Sequence, residues 1–237
     1  LKTTKSKYSL QQLPSNEFPL FDITESDQTF SINQQVLSET FIKTQFAMAQ
    51  QDVRFYLNGL LLEIKPETLD VVGTDGHRLA KTSTELDKKS VNEQCCIVPR
   101  KAIQELTRSL PGSKECRVSL AENQACFSFS SVTLTTKLIE GSFPDYNRVI
   151  PSQTTTNIIL DTNVIKPVLQ RVSILANEKF RGVRIDIDNN KLTISSENPE
   201  QEHAVEDIDI DETNAKLSIG FNVSYLIDAV NACSGEL

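Results

Sequence analysis

Val71–Leu86, VVGTDGHRLAKTSTEL, is an apolar run, a polar turn and a second run of alternating character. The turn is Thr74-Asp75-Gly76-His77-Arg78-Leu79. Read by itself it has two meanings. Aspartate and glycine favour tight turns between strands, and an aspartate two residues before a histidine is also half of a catalytic or metal site. The second meaning makes the chain a metal- or His/Asp-dependent phosphoester hydrolase. That reading lacks partners, because the other histidine, His203, sits in an acidic strand-like run, and no CxxC or Cys/His cluster supplies further ligands.

Around the turn, the strand-like runs are Val53–Ile64, Leu69–Thr74 and Arg78–Thr84. Before them, Leu37, Phe41 and Met48 share one helical face within Asn33–Gln50, with Phe46 on the opposite side. After them a helix begins at Pro99, where proline suits a first turn, with Ile103, Leu106 and Leu110 as its apolar stripe. Lys101 and Arg108 share its other face, and Pro111-Gly112 ends it. Strands are expected at Cys116–Leu120, Ala125–Ser130 and Val132–Ile139. At the start, residues 1–9 alternate weakly, as a short strand would, before the proline-broken stretch Leu13–Pro19. A similar linker recurs at Gly141–Pro151, GSFPDYNRVIP.

Beyond that linker the pattern restarts. Asp161–Asn177 reads as a helix with Val164, Val168, Val172 and Leu175 on one stripe, and Val183–Ile187 and Lys191–Ser196 as a hairpin about Asp188-Asn189-Asn190. His203–Ile210 follows as a strand, and Asn222 caps a helix bearing Val223, Leu226, Ile227 and Val230. The order helix, strands, helix thus occurs twice, at a period of about 125 residues, which marks an internal repeat. It divides the chain into the end of one unit (1–20), a complete unit (21–150) and part of a third (151–237). Because it starts at Leu1 and stops just past a helical pattern, the chain reads as a piece of a longer protein.

With 237 residues, 38% hydrophobic and 24% charged, the composition is that of a globular chain able to bury a core. A net charge of −8 argues against a uniformly basic nucleic-acid coat but not against a locally basic face. Five cysteines at irregular spacings read as reduced thiols. No apolar run approaches the roughly 20 residues a membrane helix needs, and the expected location is the cytoplasm.

Seven segments together resemble the bacterial sliding clamp family, the beta subunit of DNA polymerase III. They are TQFAMAQQDVRFYLNGLLLEI, TDGHRLA, VPRKAIQEL, KLIEGSFPDYNRVIP, LANEKFRGVRI, NPEQE and IGFNVSYLIDAVNA, in order along the chain. The resemblance implies an α+β fold of repeated clamp domains, each with two helices packed on antiparallel sheet. It implies a non-catalytic ring around duplex DNA, closed by a head-to-tail homodimer, that tethers polymerase, clamp loader and repair proteins through short peptide motifs. No cofactor and no metal are implied.

Carried over residue by residue, the peptide groove comprises Leu57, Thr74, Gly76, His77, Arg78, Leu79, Pro144, Arg148, Val149, Phe180, Asn222 and Tyr225. Gly76 is expected to keep the groove open, since a side chain there would intrude on it. DNA contacts fall on Lys43, Gln50, Gln51, Arg54, Phe55, Tyr56, Arg100, Lys101, Arg108 and Lys166, which would meet phosphates without reading bases. Ring closure falls on the apolar pair Ile174 and Leu175 and the acidic residues Glu200, Glu202 and Glu206.

Overall fold

The computed structural model describes residues 1–18, 28–86, 92–110, 112–154, 156–211, 213 and 215–237. The first unit of the repeat holds β1 (Gln28–Asn33), α1 (Gln34–Ile42), β2 (Gly59–Ile64), β3 (Thr68–Thr74), β4 (Leu79–Glu85), β5 (Gln94–Pro99), α2 (Arg100–Ser109), β6 (Glu115–Leu120), β7 (Gln124–Phe129) and β8 (Val132–Lys137). The next holds α3 (Thr162–Val172), β9 (Gly182–Asp188), β10 (Lys191–Glu197), β11 (His203–Asp209), β12 (Lys216–Asn222) and α4 (Val223–Ala232). Among the described residues all strand pairings are antiparallel, which with four helices makes the class α+β.

The repeat is a repeat of topology. Strands β4-β3-β2-β5 form one sheet and β11-β10-β9-β12 another, so in both units the first strand lies between the second and the fourth. The helix that follows each fourth strand starts alike. The amide of Arg100 donates to the carbonyl of Asn58 (2.9 Å), and that of Val223 to the carbonyl of Arg181 (2.8 Å). These bonds satisfy one of the amides that a helix start leaves unpaired.

In the first unit a further sheet, β1-β6-β7-β8, shares one core with β2–β5 and both helices. Leu37 and Phe41 of α1, Ile103 and Leu106 of α2, Leu60 and Leu62 of β2, and Phe127 of β7 are all essentially inaccessible. Strand β2 is covered on its other face as well, where Leu61, Val72, Ile97 and Tyr146 form a second cluster. The near-continuous apolar run GLLLEI answers to that double burial. In the second unit α3 and α4 pack on the single sheet β9–β12 around Ile165, Val168, Leu169, Val172, Ile194 and Val223.

Several sequence expectations shift. Among the described residues, 1–9 form one isolated bridge, Lys2 to Lys7, in place of the expected strand, and every residue there is exposed. Helix α1 stops at Ile42 instead of Gln50. The Thr44 hydroxyl bonds back to the Thr40 carbonyl (2.9 Å), and a short 3-10 turn at Gln45–Ala47 brings Met48 into the core. Gly73 allows this turn to lie close, since a Cβ there would stand 2.8 Å from the Thr44 carbonyl oxygen. Residues 53–58 are a turn, so β2 starts at Gly59. On α3 the buried stripe is Ile165, Val168, Leu169 and Val172; Val164 is exposed, and Leu175 lies in a 3-10 turn past the helix end. Strands β1, β5 and β12 were not expected. Pro19 and Pro111 lie outside the described residues.

One side chain ties the units together. Arg78 Nη1 meets Asp228 Oδ2 of α4 at 2.6 Å, and Nη2 donates to the Phe46 carbonyl at 2.7 Å. Its guanidinium carbon lies 4.5 Å from the Tyr225 ring centre and 5.5 Å from that of Phe46. A planar fork with five donors, stacked between two rings, suits arginine and not lysine.

Two outcomes are expected. Leu62→Ala should lower unfolding stability by about 3 kcal/mol in urea titration, the usual cost of a cavity in a closed core. Arg78→Ala should raise hydrogen–deuterium exchange in Val223–Ala232 and around Phe46, while exchange in β6–β8 stays as it was; equal exchange in all segments would refute the tie.

Candidate functional site: a cleft beside the Thr74–Leu79 turn

The turn between β3 and β4 is built by its own short side chains. Thr74 Oγ1 donates to the Arg78 carbonyl (2.7 Å) and accepts from the Gly76 amide (3.1 Å). Asp75 Oδ1 accepts from the amides of His77 (2.9 Å) and Arg78 (3.0 Å), and Oδ2 accepts from Arg78 Nε (3.1 Å). The Asp75 carboxylate is therefore committed to shaping the turn and anchoring Arg78, and is not free to orient an imidazole as a hydrolytic dyad requires. Among the described residues no group of three or more His, Cys, Asp or Glu side chains is placed to hold a metal ion.

Gly76 has φ +87°, where a side chain is strained, and a Cβ there would stand 2.9 Å from an Arg54 nitrogen. The glycine makes room for Arg54, which donates to the Asp75 carbonyl at 3.1 Å. Both Gly76 and the Arg54 guanidinium that a Cβ would meet line the cleft described next.

Beside the turn lies a cleft of about 340 Å³. Leu57, Thr74, Gly76, His77, Arg78 and Leu79 line one side, and Pro144 and Val149 of the linker line the other, so eight of the twelve expected groove residues meet here. Arg54, Tyr56, Asp145 and Tyr146 complete the lining. Leu57 is buried, while Val149 is 68% exposed and offers its side chain to an incoming ligand.

The other four expected residues lie elsewhere. Arg148 does not line this cleft; its side chain is 84% exposed and pairs with Asp145 at 2.9 Å. Phe180 and Asn222 line a separate cleft of about 670 Å³ on the second unit, with His203 and Val205. The Asn222 side chain is occupied as the α4 cap, accepting from the Ser224 amide at 2.9 Å. Tyr225 lies on the far side of Arg78, in a polar cleft of about 370 Å³ that includes Gln50, Asp52, Arg54, His77 and Arg100. Arg54, His77 and Arg78 are thus a wall common to both clefts.

The residues expected at DNA divide in the same way. Lys43 and Lys101 are exposed, Lys166 is half-buried, and none of the three forms an ion pair among the described residues. Arg108 pairs with Glu105 one helical turn away. Arg100 is half-buried and donates to the Met48 carbonyl at 3.1 Å, bracing the start of α2 against the turn after α1. Arg54 holds Asp52 in a two-pronged pair (3.0 and 2.8 Å), and this hydrogen bonding pulls the Asp52 carboxyl down to about 2. Gln50 and Gln51 are exposed, Gln51 with φ 56°, and Phe55 meets Tyr56 edge to face with ring centres 5.9 Å apart.

At the expected ring-closing edge, Ile174 is 76% exposed, and Glu200 and Glu202 are exposed. Glu206 is matched within the chain by Arg171, at 2.7 and 2.5 Å. The sequence reading did not select Asp145, Tyr146 or Asp228. Tyr146 had a legible signal, an aromatic amid a polar, proline-broken linker; Asp228 had none, since its partner is 150 residues away.

Comparison with known proteins agrees with this architecture. Residues 31–145 match the DNA polymerase III beta subunit, central domain, and residues 147–236 match its C-terminal domain. The beta sliding clamps of Proteus mirabilis and Escherichia coli are each 41% identical over the whole chain, which spans 65% and 64% of their lengths. A crystal structure of the DNA polymerase III subunit beta from Pseudomonas aeruginosa superposes with a TM-score of 0.92 at 41% identity, covering 98% of this chain and 63% of that one. A DnaN sliding clamp from the same organism, bound to griselimycin, gives 0.92 at 40% identity over the same shares. The chain belongs to the DNA polymerase III beta subunit family, the bacterial sliding clamps.

Proposed function

We propose that this chain works as part of a DNA polymerase processivity factor: a ring that encircles duplex DNA without catalysing a reaction and holds polymerases, the clamp loader and repair proteins by short peptides. The observation that carries the reading is the cleft between the Thr74–Leu79 turn and the linker, with apolar walls at Leu57, Leu79, Pro144 and Val149 and polar groups at His77 and Arg78. Apolar burial supplies affinity for such a peptide, and the few polar groups fix its register. Arg148, exposed at the rim beside Asp145, is suited to meet the peptide as it enters.

The division into residues 1–20, 21–150 and 151–237, as the end of one clamp domain, a whole second and part of a third, is proposed with it. Lys43, Lys101, Arg108 and Lys166, with Gln50, Gln51, Arg54 and Phe55, are the proposed DNA-facing set, working by phosphate contact and so indifferent to sequence. Ring closure as a head-to-tail homodimer would use the exposed Ile174 with Leu175, Glu200 and Glu202. The proposed compartment is the cytoplasm, where replication proteins meet DNA.

Titrating the protein with a short peptide that carries a glutamine and ends in leucine-phenylalanine should shift the NMR signals of His77 and Arg148. Griselimycin should displace the peptide, and His77→Ala should weaken it about tenfold, the loss of one useful contact in a small interface. Saturating peptide with neither signal moved would overturn the groove. On DNA, weak binding should fall on the order of tenfold between about 50 and 200 mM salt. Affinity flat with salt would remove the phosphate-contact role.

A further inference from the structure

On the outer face of the β2–β5 sheet, Glu63 and Asp70 stand directly opposite each other on neighbouring strands. Like charges so placed repel. Lys65, two residues beyond Glu63 and therefore on the same face, reaches both: its Nζ lies 2.8 Å from Glu63 Oε2 and 2.8 Å from Asp70 Oδ2. Lys81 of β4 adds a contact to Asp70 at 3.3 Å. The Asp70 side chain is only 6% exposed. Burial pushes its carboxyl up, but the bonds from Lys65, Ser83 and Lys81 outweigh burial and hold it below the usual range. Two carboxylates and two ammonium groups thus make a neutral base on the sheet.

One group from outside the sheet lands on this base. Tyr146 Oη donates to Glu63 Oε2 at 2.8 Å, and its ring centre lies 5.3 Å from Lys81 Nζ. Burial and the bond to Glu63 push the Tyr146 phenol up to about 12, so it stays a donor through neutral pH. Among the described residues from Lys137 to Asp161, Tyr146 alone is buried, at 4% exposure. Tyr146 is thus the linker's most deeply seated contact, with Phe143 packing part-buried against the same cluster, and the groove residues Pro144 and Val149 stand two before Tyr146 and three after it.

We infer that the Tyr146–Glu63 hydrogen bond, held on its Lys65–Asp70–Lys81 base, is a positioning device that sets where the linker wall stands and so how tightly the groove holds a peptide. The inference rests on the peptide-groove reading of the cleft. Glu63, Lys65 and Asp70 do not line that cleft, and Glu63 acts only through Tyr146.

The test uses the whole chain and a fluorescein-labelled peptide carrying a glutamine and a C-terminal leucine-phenylalanine pair, followed by anisotropy far below the melting temperature, where every variant is folded. Tyr146→Phe keeps the ring and removes the donor; Glu63→Ala removes the acceptor; Glu63→Gln keeps an acceptor of similar shape. Peptide affinity should fall about fivefold in Tyr146→Phe and in Glu63→Ala, the loss of roughly one hydrogen bond. It should stay within about twofold of the parent in Glu63→Gln, and Tyr146→Phe combined with Glu63→Ala should lose no more than either alone. A role confined to stability would lower the melting temperature and leave the affinity of the folded protein untouched, and that result overturns the inference. If the parent chain itself fails to bind, the groove reading falls and takes the inference with it; if the parent binds and the variants match it, the inference alone falls.

Discussion

The guanidinium of Arg78 is the constraint on which the site depends. It receives Asp75 from its own turn, Asp228 from α4 and the Phe46 carbonyl from the turn after α1, and it is flanked by the rings of Phe46 and Tyr225. A half-buried cation with two carboxylates and a carbonyl is well compensated, whereas its removal would leave two acids without their partner. The consequence is geometric. The turn that forms one side of the cleft is fixed by the same residue that meets Asp228 and Tyr225 of the second unit, so the cleft and the junction between units share a fastening.

Much of this could be read in the sequence, and what could not follows a rule. The turn at Thr74–Leu79 was legible because its chemistry is local: Thr74 and Asp75 bond to amides two or three residues away. The helix start at Asn222 was legible for the same reason, since its side chain caps an amide in its own first turn. Strands β1 and β5 were missed because what makes them strands is a partner elsewhere, β6 in one case and β2 in the other. The α3 stripe was right at Val168 and Val172 but began at Val164 instead of Ile165, because the two are equally apolar and only the sheet beneath chooses between them. The common wall of the two clefts was illegible for the same reason, since Arg54 comes to the turn from 21 residues away.

The repeat explains why the expected groove residues separate. In register, Phe180 occupies in the second unit the place that Leu57 holds in the first, each two residues before the first strand of its sheet. Thr74 pairs with Leu79 across β3 and β4, and Glu197 pairs with His203 across β10 and β11. Where the first unit offers Leu57, Thr74 and Leu79 beneath a linker, the second offers Phe180, Glu197 and His203 along an open cleft. The frame is the same and the chemistry is not.

The difference extends to the outer sheet face. In the first unit Leu61, Val72 and Ile97 are apolar, and the linker lies on them with Tyr146 as its anchor. The matching places in the second unit, read from the pairing of β9 with β10 and β12, are Arg184, Ser195 and Gly220, which give an apolar anchor nothing to bury against. Among the described residues, the outer sheet face that carries a linker is the one on which an aromatic side chain, Tyr146, is buried. The same sheet topology therefore supplies two platforms, while a few side chains on the outer face decide which of them can bury an aromatic anchor.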